Sequence, residues 1–211
     1  MINISDNYAE ALITEIRDQE TNSEVLKDRL YRLGEKVGQK ISGDIFTQEK
    51  IIMTPMGCPY MGISLMQKRT VVVSTKDDYE YFAKGISSTL KEVIRGYMDF
   101  EGIRGKEALS HPVRSIVLPN LDKRNPAECL IIAKSVLATG CTAISLTKKA
   151  MELCNPRHVI IATVFYTEQG ISDILSEIAS AEIYAFGKPD DVNKDGMLTP
   201  GVGNLDLRLN A

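Results

Sequence analysis

Ala127-Glu128-Cys129-Leu130-Ile131-Ile132-Ala133-Lys134-Ser135-Val136-Leu137-Ala138-Thr139-Gly140-Cys141-Thr142-Ala143-Ile144-Ser145-Leu146 is where the hydrophobic period of this chain changes from strand to helix. The apolar run Leu130 to Ala133 predicts a buried strand, being too short for a helix of its own. Ser145, Leu146, Ala150, Met151 and Leu153 then recur at helical spacing, so a helix follows. Between them, Leu137 to Thr142 is a turn of small and hydroxyl-bearing residues at a helix start. Such a junction aims several backbone N–H groups one way, and the helix dipole adds partial positive charge there. Gly140 permits close approach of a ligand, and Thr139 and Thr142 offer hydroxyls. The segment reads as a phosphate cradle, with an ordinary threonine-capped turn as the other reading. It is neither Gly-Lys-Ser/Thr nor Gly-x-Gly-x-x-Gly.

The chain has 211 residues, which suits one large domain with a proper core. Hydrophobic content of 44% and charged content of 25% are those of an ordinary globular protein. A formal net charge of −3 gives no nucleic-acid footprint, so any anion site must be local. No apolar run approaches the ~20 residues that span a bilayer. The polar N-terminus has no signal-peptide pattern, so the expectation is no membrane partner and a cytoplasmic location. Cys58, Cys129, Cys141 and Cys154 lack Cys-x-x-Cys spacing, and only His111 and His158 could join them, so no metal site is expected. Cys141 stands where a helix start can activate a thiol, although a small filler residue is the favoured reading.

Working outward, Glu10 to Ile41 carries helical patterns interrupted at Thr21-Asn22-Ser23, with Ser23 as the expected cap and Leu26, Leu30, Leu33 and Val37 on one face. Arg69 to Val73, Ile116 to Pro119, Pro156 to Phe165 and Ala181 to Phe186 read as strands, and Gly170 to Ala179 as an amphipathic helix. Strands alternating with helices from Val71 onward predict an α/β fold with a mostly parallel sheet flanked by helices. Such sheets bind ligands beyond the carboxyl ends of their strands. Asp191-Val192-Asn193-Lys194-Asp195-Gly196 copies the front of a calcium loop, but Val202 replaces the closing Glu and Pro200 interrupts the helix, so calcium is rejected.

Leu137-Ala138-Thr139-Gly140-Cys141-Thr142 resembles the Leu-Ala-Thr-Gly-Gly-Ser/Thr loop of the uracil phosphoribosyltransferases. There the loop holds the 5-phosphate of phosphoribosyl pyrophosphate (PRPP) or of the product UMP. Val192 to Asn204 resembles that family's Leu-Asn-x-x-Gly-Tyr-Ile-Val-Pro-Gly-Leu-Gly-Asp/Asn segment, which forms the uracil pocket. A flat base can be read by backbone amides on such a turn, with apolar side chains over its ring. Leu12 to Thr21 and Arg29 to Gly34 resemble the family's opening segments, which support the dimer, while their charged residues read as a solvated helix face. Ile51 to Gly57 resembles its Val-x-Thr-Pro-Leu-Gly segment.

Two places depart from the pattern. Asp77-Asp78-Tyr79 stands where the family has an Arg-Ala-Gly loop for pyrophosphate, and Lys134-Ser135 stands where acids contact ribose. The aspartates would repel pyrophosphate unless magnesium lies between, and a plain helix N-terminus is the favoured reading for them. Lys134 cannot accept hydrogen bonds from ribose hydroxyls, while Ser135 can supply one contact.

The resemblance implies one phosphoribosyltransferase-type, Rossmann-like domain over 1–211, with N-terminal helices over 1–45 and a base-binding hood over 187–211. It implies pyrimidine salvage by transfer of phosphoribosyl from PRPP to uracil, with Mg2+ accompanying PRPP, in a homodimer. Leu137, Ala138, Thr139, Gly140, Cys141 and Thr142 would hold phosphate. Met197, Leu198, Gly201, Val202 and Gly203 would frame the base, and Asn204 and Asp206 would face the reacting pyrophosphate. Arg104 and Lys106 form a candidate polyphosphate arm, a solvated hairpin tip being the other reading. The retained phosphate and base loops beside altered pyrophosphate and ribose loops leave two alternatives open. One is a non-catalytic relative that binds UMP or another nucleotide as a sensor or partner subunit. The other is an enzyme for a different heterocycle or sugar phosphate.

Overall fold

The structure, a computed structural model, describes residues 1–100, 115–118, 126–194 and 196–211. Arg104, Lys106, His111, Asp195 and the turn over 120–125 lie outside the described residues. Unbroken runs of β-branched and apolar residues form the middle of the sheet because both of its faces are covered. These are β4 (Thr70–Thr75), β7 (Cys129–Ala133), β9 (His158–Thr163) and β11 (Ala181–Phe186). With β1 (Ile2–Ile4), β5 (Val93–Asp99) and β6 (Ser115–Val117) they make a seven-stranded sheet in the order β1-β11-β9-β7-β4-β5-β6. Every neighbouring pair is parallel except β5 and β6.

Alternation along each strand divides the core in two. Val72, Ile131, Ala133 and Ile160 belong to a cluster with α1 (Asn7–Arg17), α2 (Ser23–Ile45) and α4 (Phe82–Ser88). Val71, Val73, Leu130, Ile132 and Ile161 join the cluster with α5 (Cys141–Cys154) and α6 (Glu168–Glu177). Each fully buried Val, Leu or Ile among them is worth about 1.5–3 kcal/mol of transfer free energy.

Two expectations are corrected and a third reading is extended. The N-terminal segment, read as helices alone, opens with β1, which adds to the far side of β11. The cap of α2 is Asn22, whose side chain accepts from the Val25 amide, and not Ser23, which is already helical. The stretch around Ile51 is one arm of an antiparallel hairpin, β2 (Thr47–Met53) with β3 (Pro59–Leu65). Ile51, Met53, Met61 and Ile63 are each more than 60% exposed there, so the hairpin's apolar side chains cover no core.

Candidate functional site

Parallel strands finish on one edge, so Thr75, Ala133, Thr163 and Phe186 deliver their following segments to the same end of the sheet. After Ala133 the chain makes β8 (Val136–Leu137), paired in parallel with β10 (Phe165–Tyr166). The turn of small residues then leads into α5, whose N-cap is Gly140 in the left-handed region at φ 70°. A Cβ on that residue would lie 2.7 Å from the Gly170 carbonyl oxygen and 3.0 Å from Ile174. Only glycine fits.

No side chain caps the helix, which corrects the threonine-capped reading. The first-turn amides of α5 therefore keep their donor capacity for a ligand, with the dipole behind them. Thr139 is exposed and Thr142 half-buried, whereas Leu137 and Cys141 are buried and offer only backbone to a ligand. The Cys141 thiol lies 3.8 Å from the Thr139 carbonyl. The loop is held from behind by Thr167, whose amide donates to the Leu137 carbonyl at 3.1 Å and whose hydroxyl donates to the Ala138 carbonyl at 2.5 Å.

The carboxy-terminal segment folds back over this edge. β12 (Asp191–Val192) pairs antiparallel with β13 (Leu198–Thr199), and Asn193 closes their turn by accepting from the Met197 amide. Its side chain thus serves the hairpin itself. The turn after β13 contains a cis Thr199–Pro200 bond and Gly201 at φ 62°. Met197 and Gly203 are exposed, Leu198 is half-buried, and Val202 is in the core with only its backbone available. Asn204 caps α7 (Leu205–Leu209) by accepting from the Leu207 amide, and Asp206 sits half-buried in its first turn.

Hydrogen bonds join the two loops through a short relay. Tyr166 pairs with Leu137, its carbonyl accepts from the Asp190 amide at 2.7 Å, and the Asp190 carboxylate accepts from the Gly201 amide at 3.2 Å. Arg17 closes the relay, donating to both Asp190 oxygens at 2.7 and 3.0 Å and to the Gly201 carbonyl at 2.8 Å. Its guanidinium also lies 4.8 Å from the centre of the Phe165 ring. Arg208 ties the hood to the end of α1 through the Ile16 and Val202 carbonyls. Burial pushes the Tyr166 phenol above its ordinary value, so it remains a donor to the Gly187 carbonyl at the start of the hood.

Arg17 is therefore not part of a solvated face, as its sequence neighbourhood suggested. The reason is a partner 173 residues away, and no local signal announces Asp190, Tyr166 or Thr167 either.

On the other flank of β7, the residues after β4 form α3 (Lys76–Tyr79), in line with the helix-start reading. Asp78 is 3% exposed, and its Oδ2 lies 2.6 Å from the Lys134 ammonium. The two departures from the expected pattern thus neutralise one another. Arg95, on β5, donates to the Tyr79 carbonyl and stacks 4.1 Å from the Tyr79 ring, bracing the same turn.

Comparison with known proteins bears on the family and the fold. The family model described as "Uracil phosphoribosyltransferase" matches residues 3–209. A protein of Thermococcus gammatolerans named uracil phosphoribosyltransferase is 26% identical, over 93% of this chain and 86% of its own length. One of Pyrococcus furiosus with the same name is 24% identical, over 95% and 85%. The solved structure of the AQ2163 protein from Aquifex aeolicus shares the fold, with a TM-score of 0.80 at 23% identity, covering 99% of this chain and 96% of that one.

Proposed function

Because the chain belongs to the uracil phosphoribosyltransferase family, we propose that it transfers phosphoribosyl from PRPP to uracil, giving UMP and pyrophosphate. The bond from the sugar's anomeric carbon to the diphosphate oxygen breaks, one to a uracil ring nitrogen forms, and that nitrogen's proton is released. Positive charge spreads over the sugar at the transition state, so the chain's task is orientation and charge placement more than proton transfer. The amides around Gly140, with Thr139 and Thr142, hold the 5-phosphate. The backbone of Gly201 to Gly203 reads the ring edge, and Met197 and Leu198 cover its face. Asn204 and Asp206 face the reacting end, Asn204 through its amide nitrogen because its oxygen serves the α7 cap.

The observation that carries this reading is the relay from Leu137 through Tyr166 and Asp190 to Gly201, which holds phosphate and base loops in one frame. Magnesium would arrive on PRPP and supply neutralisation of its diphosphate. Asp78 is committed to Lys134, but the exposed Asp77 beside it suits the water shell of such an ion, which keeps most of its own waters. The sensor reading gains no support, since the relatives named above carry an enzyme's name.

A second copy of the chain is the fitting cover for the apolar β2–β3 hairpin, making the protein a homodimer of cytoplasmic pyrimidine salvage. Incubation with PRPP, magnesium and uracil tests the activity. Pyrophosphate released only when uracil is present supports it, and no release refutes it.

A further inference from the structure

Asp78 and Lys134 sit in segments that leave adjacent central strands, β4 and β7, at the same edge. Their side chains are 4% and 16% exposed, and the ammonium lies 2.6 Å from the carboxylate. The same Asp78 oxygen accepts from the Thr75 hydroxyl at 3.2 Å, so the carboxylate is fixed twice. The Lys134 backbone is fixed as well, its amide donating to the Ala162 carbonyl at 3.0 Å. What remains adjustable is a four-carbon stem with a charged end, rooted three residues before the phosphate loop.

Strand order decides what that end can meet. β9 and β11, which carry Tyr166 and Asp190 at their exits, lie on one side of β7, and β4 lies on the other. A sugar phosphate seated at Gly140 with its base toward Gly201 therefore has the Lys134–Asp78 pair on the side away from the hood. The anomeric carbon carries the base toward the hood and sheds its diphosphate the other way. A diphosphate brought there meets a buried aspartate that repels it and an ammonium that attracts it. An ammonium on a flexible stem is suited to exchanging one anion for another.

Resting on the transferase reading above, we infer that Lys134 is the diphosphate-binding cation of this site, and that Asp78 holds its ammonium in place until the diphosphate competes for it. The two charges then have opposite effects on affinity. Lys134 contributes contact, and Asp78 restrains it.

Calorimetric titration separates this from a mere strut, using UMP alone and then magnesium pyrophosphate in the presence of saturating UMP. The proteins are the native chain, Asp78→Asn, Lys134→Met and the double variant, which leaves no buried charge unpaired if Lys134→Met fails to fold. The expected pyrophosphate affinity falls about tenfold or more in Lys134→Met and in the double variant, as loss of a charged hydrogen bond implies. In Asp78→Asn it rises about threefold or more, because the internal competitor is gone. UMP, which lacks the diphosphate, binds all four within about twofold. Unchanged pyrophosphate affinity in the double variant, or equal weakening by Asp78→Asn and Lys134→Met, overturns the assignment. Failure of the native chain to bind UMP overturns the transferase reading and this inference with it.

Discussion

Replacing Arg17 with methionine leaves the Asp190 carboxylate, 3% exposed, without its bidentate cation. Removing one partner of a buried pair costs about 3 kcal/mol or more, so a clear drop in the urea midpoint is expected for Arg17→Met. Base affinity should fall with it, because the same guanidinium holds the Gly201 carbonyl. Gly140→Ala acts differently. A left-handed alanine costs about 1–2 kcal/mol before its Cβ meets the Gly170 carbonyl, so the loop must shift. UMP affinity should drop much further than stability, and a UMP titration matching the native chain would contradict the phosphate role of this loop. Thiols provide a third check. Burial raises Cys129 to about 12 and Cys154 to about 11, whereas Cys58 is exposed. An unfolded thiol loses its proton near about 8.5, so the native state holds the extra protons and stability falls as pH rises from there toward 11. Urea midpoints at pH 8 and pH 10.5 measure that slope, and in native protein one thiol, Cys58, should react quickly with a disulfide reagent. The Asp78–Lys134 pair was legible only as two oddities, because 56 residues separate partners that meet through strand order.

Among the described residues, large exposed apolar side chains concentrate on the β2–β3 hairpin. Substituting Ile51, Met61 and Ile63 with threonine keeps strand propensity while removing apolar contact area. Sedimentation should then show a monomer with an unaltered circular dichroism spectrum, and a dimer that persists would place the partner elsewhere. This hairpin was half visible in the sequence. Its first strand gave an apolar run, but Pro59-Tyr60-Met61-Gly62-Ile63 alternates too weakly to announce a strand with one face free. Central strands such as Cys129–Ala133 were plain because burial on both faces demands unbroken apolar runs. β1 and β5 carry no such run: β1 is a three-residue edge strand, and β5 has Arg95 and Gly96 at its centre. Helix α5 was clear from its spacing, but its glycine cap depends on a φ angle that only the close approach of α6 imposes.

At the largest scale the described residues form a mostly parallel sheet, one edge of which gathers three segments: the Gly140 loop, the carboxy-terminal segment and the charged pair. A ligand that spans two of them should stabilise the fold more than one that touches a single loop. At a hundred times its dissociation constant UMP adds about 2.7 kcal/mol, or roughly 5–10 °C in melting temperature for a chain of this size. At equal concentration inorganic phosphate and uracil, supplied singly, should shift it far less. The order of motifs along the chain made the shared edge legible, whereas the relay that ties its parts together came only from tertiary structure. The most direct measurement is a crystal structure with UMP bound. The expected result is phosphate oxygens within hydrogen-bond distance of the amides following Gly140 and the pyrimidine ring against Leu198 to Gly203. A nucleotide bound elsewhere, or one that reaches only one of these two segments, would contradict it.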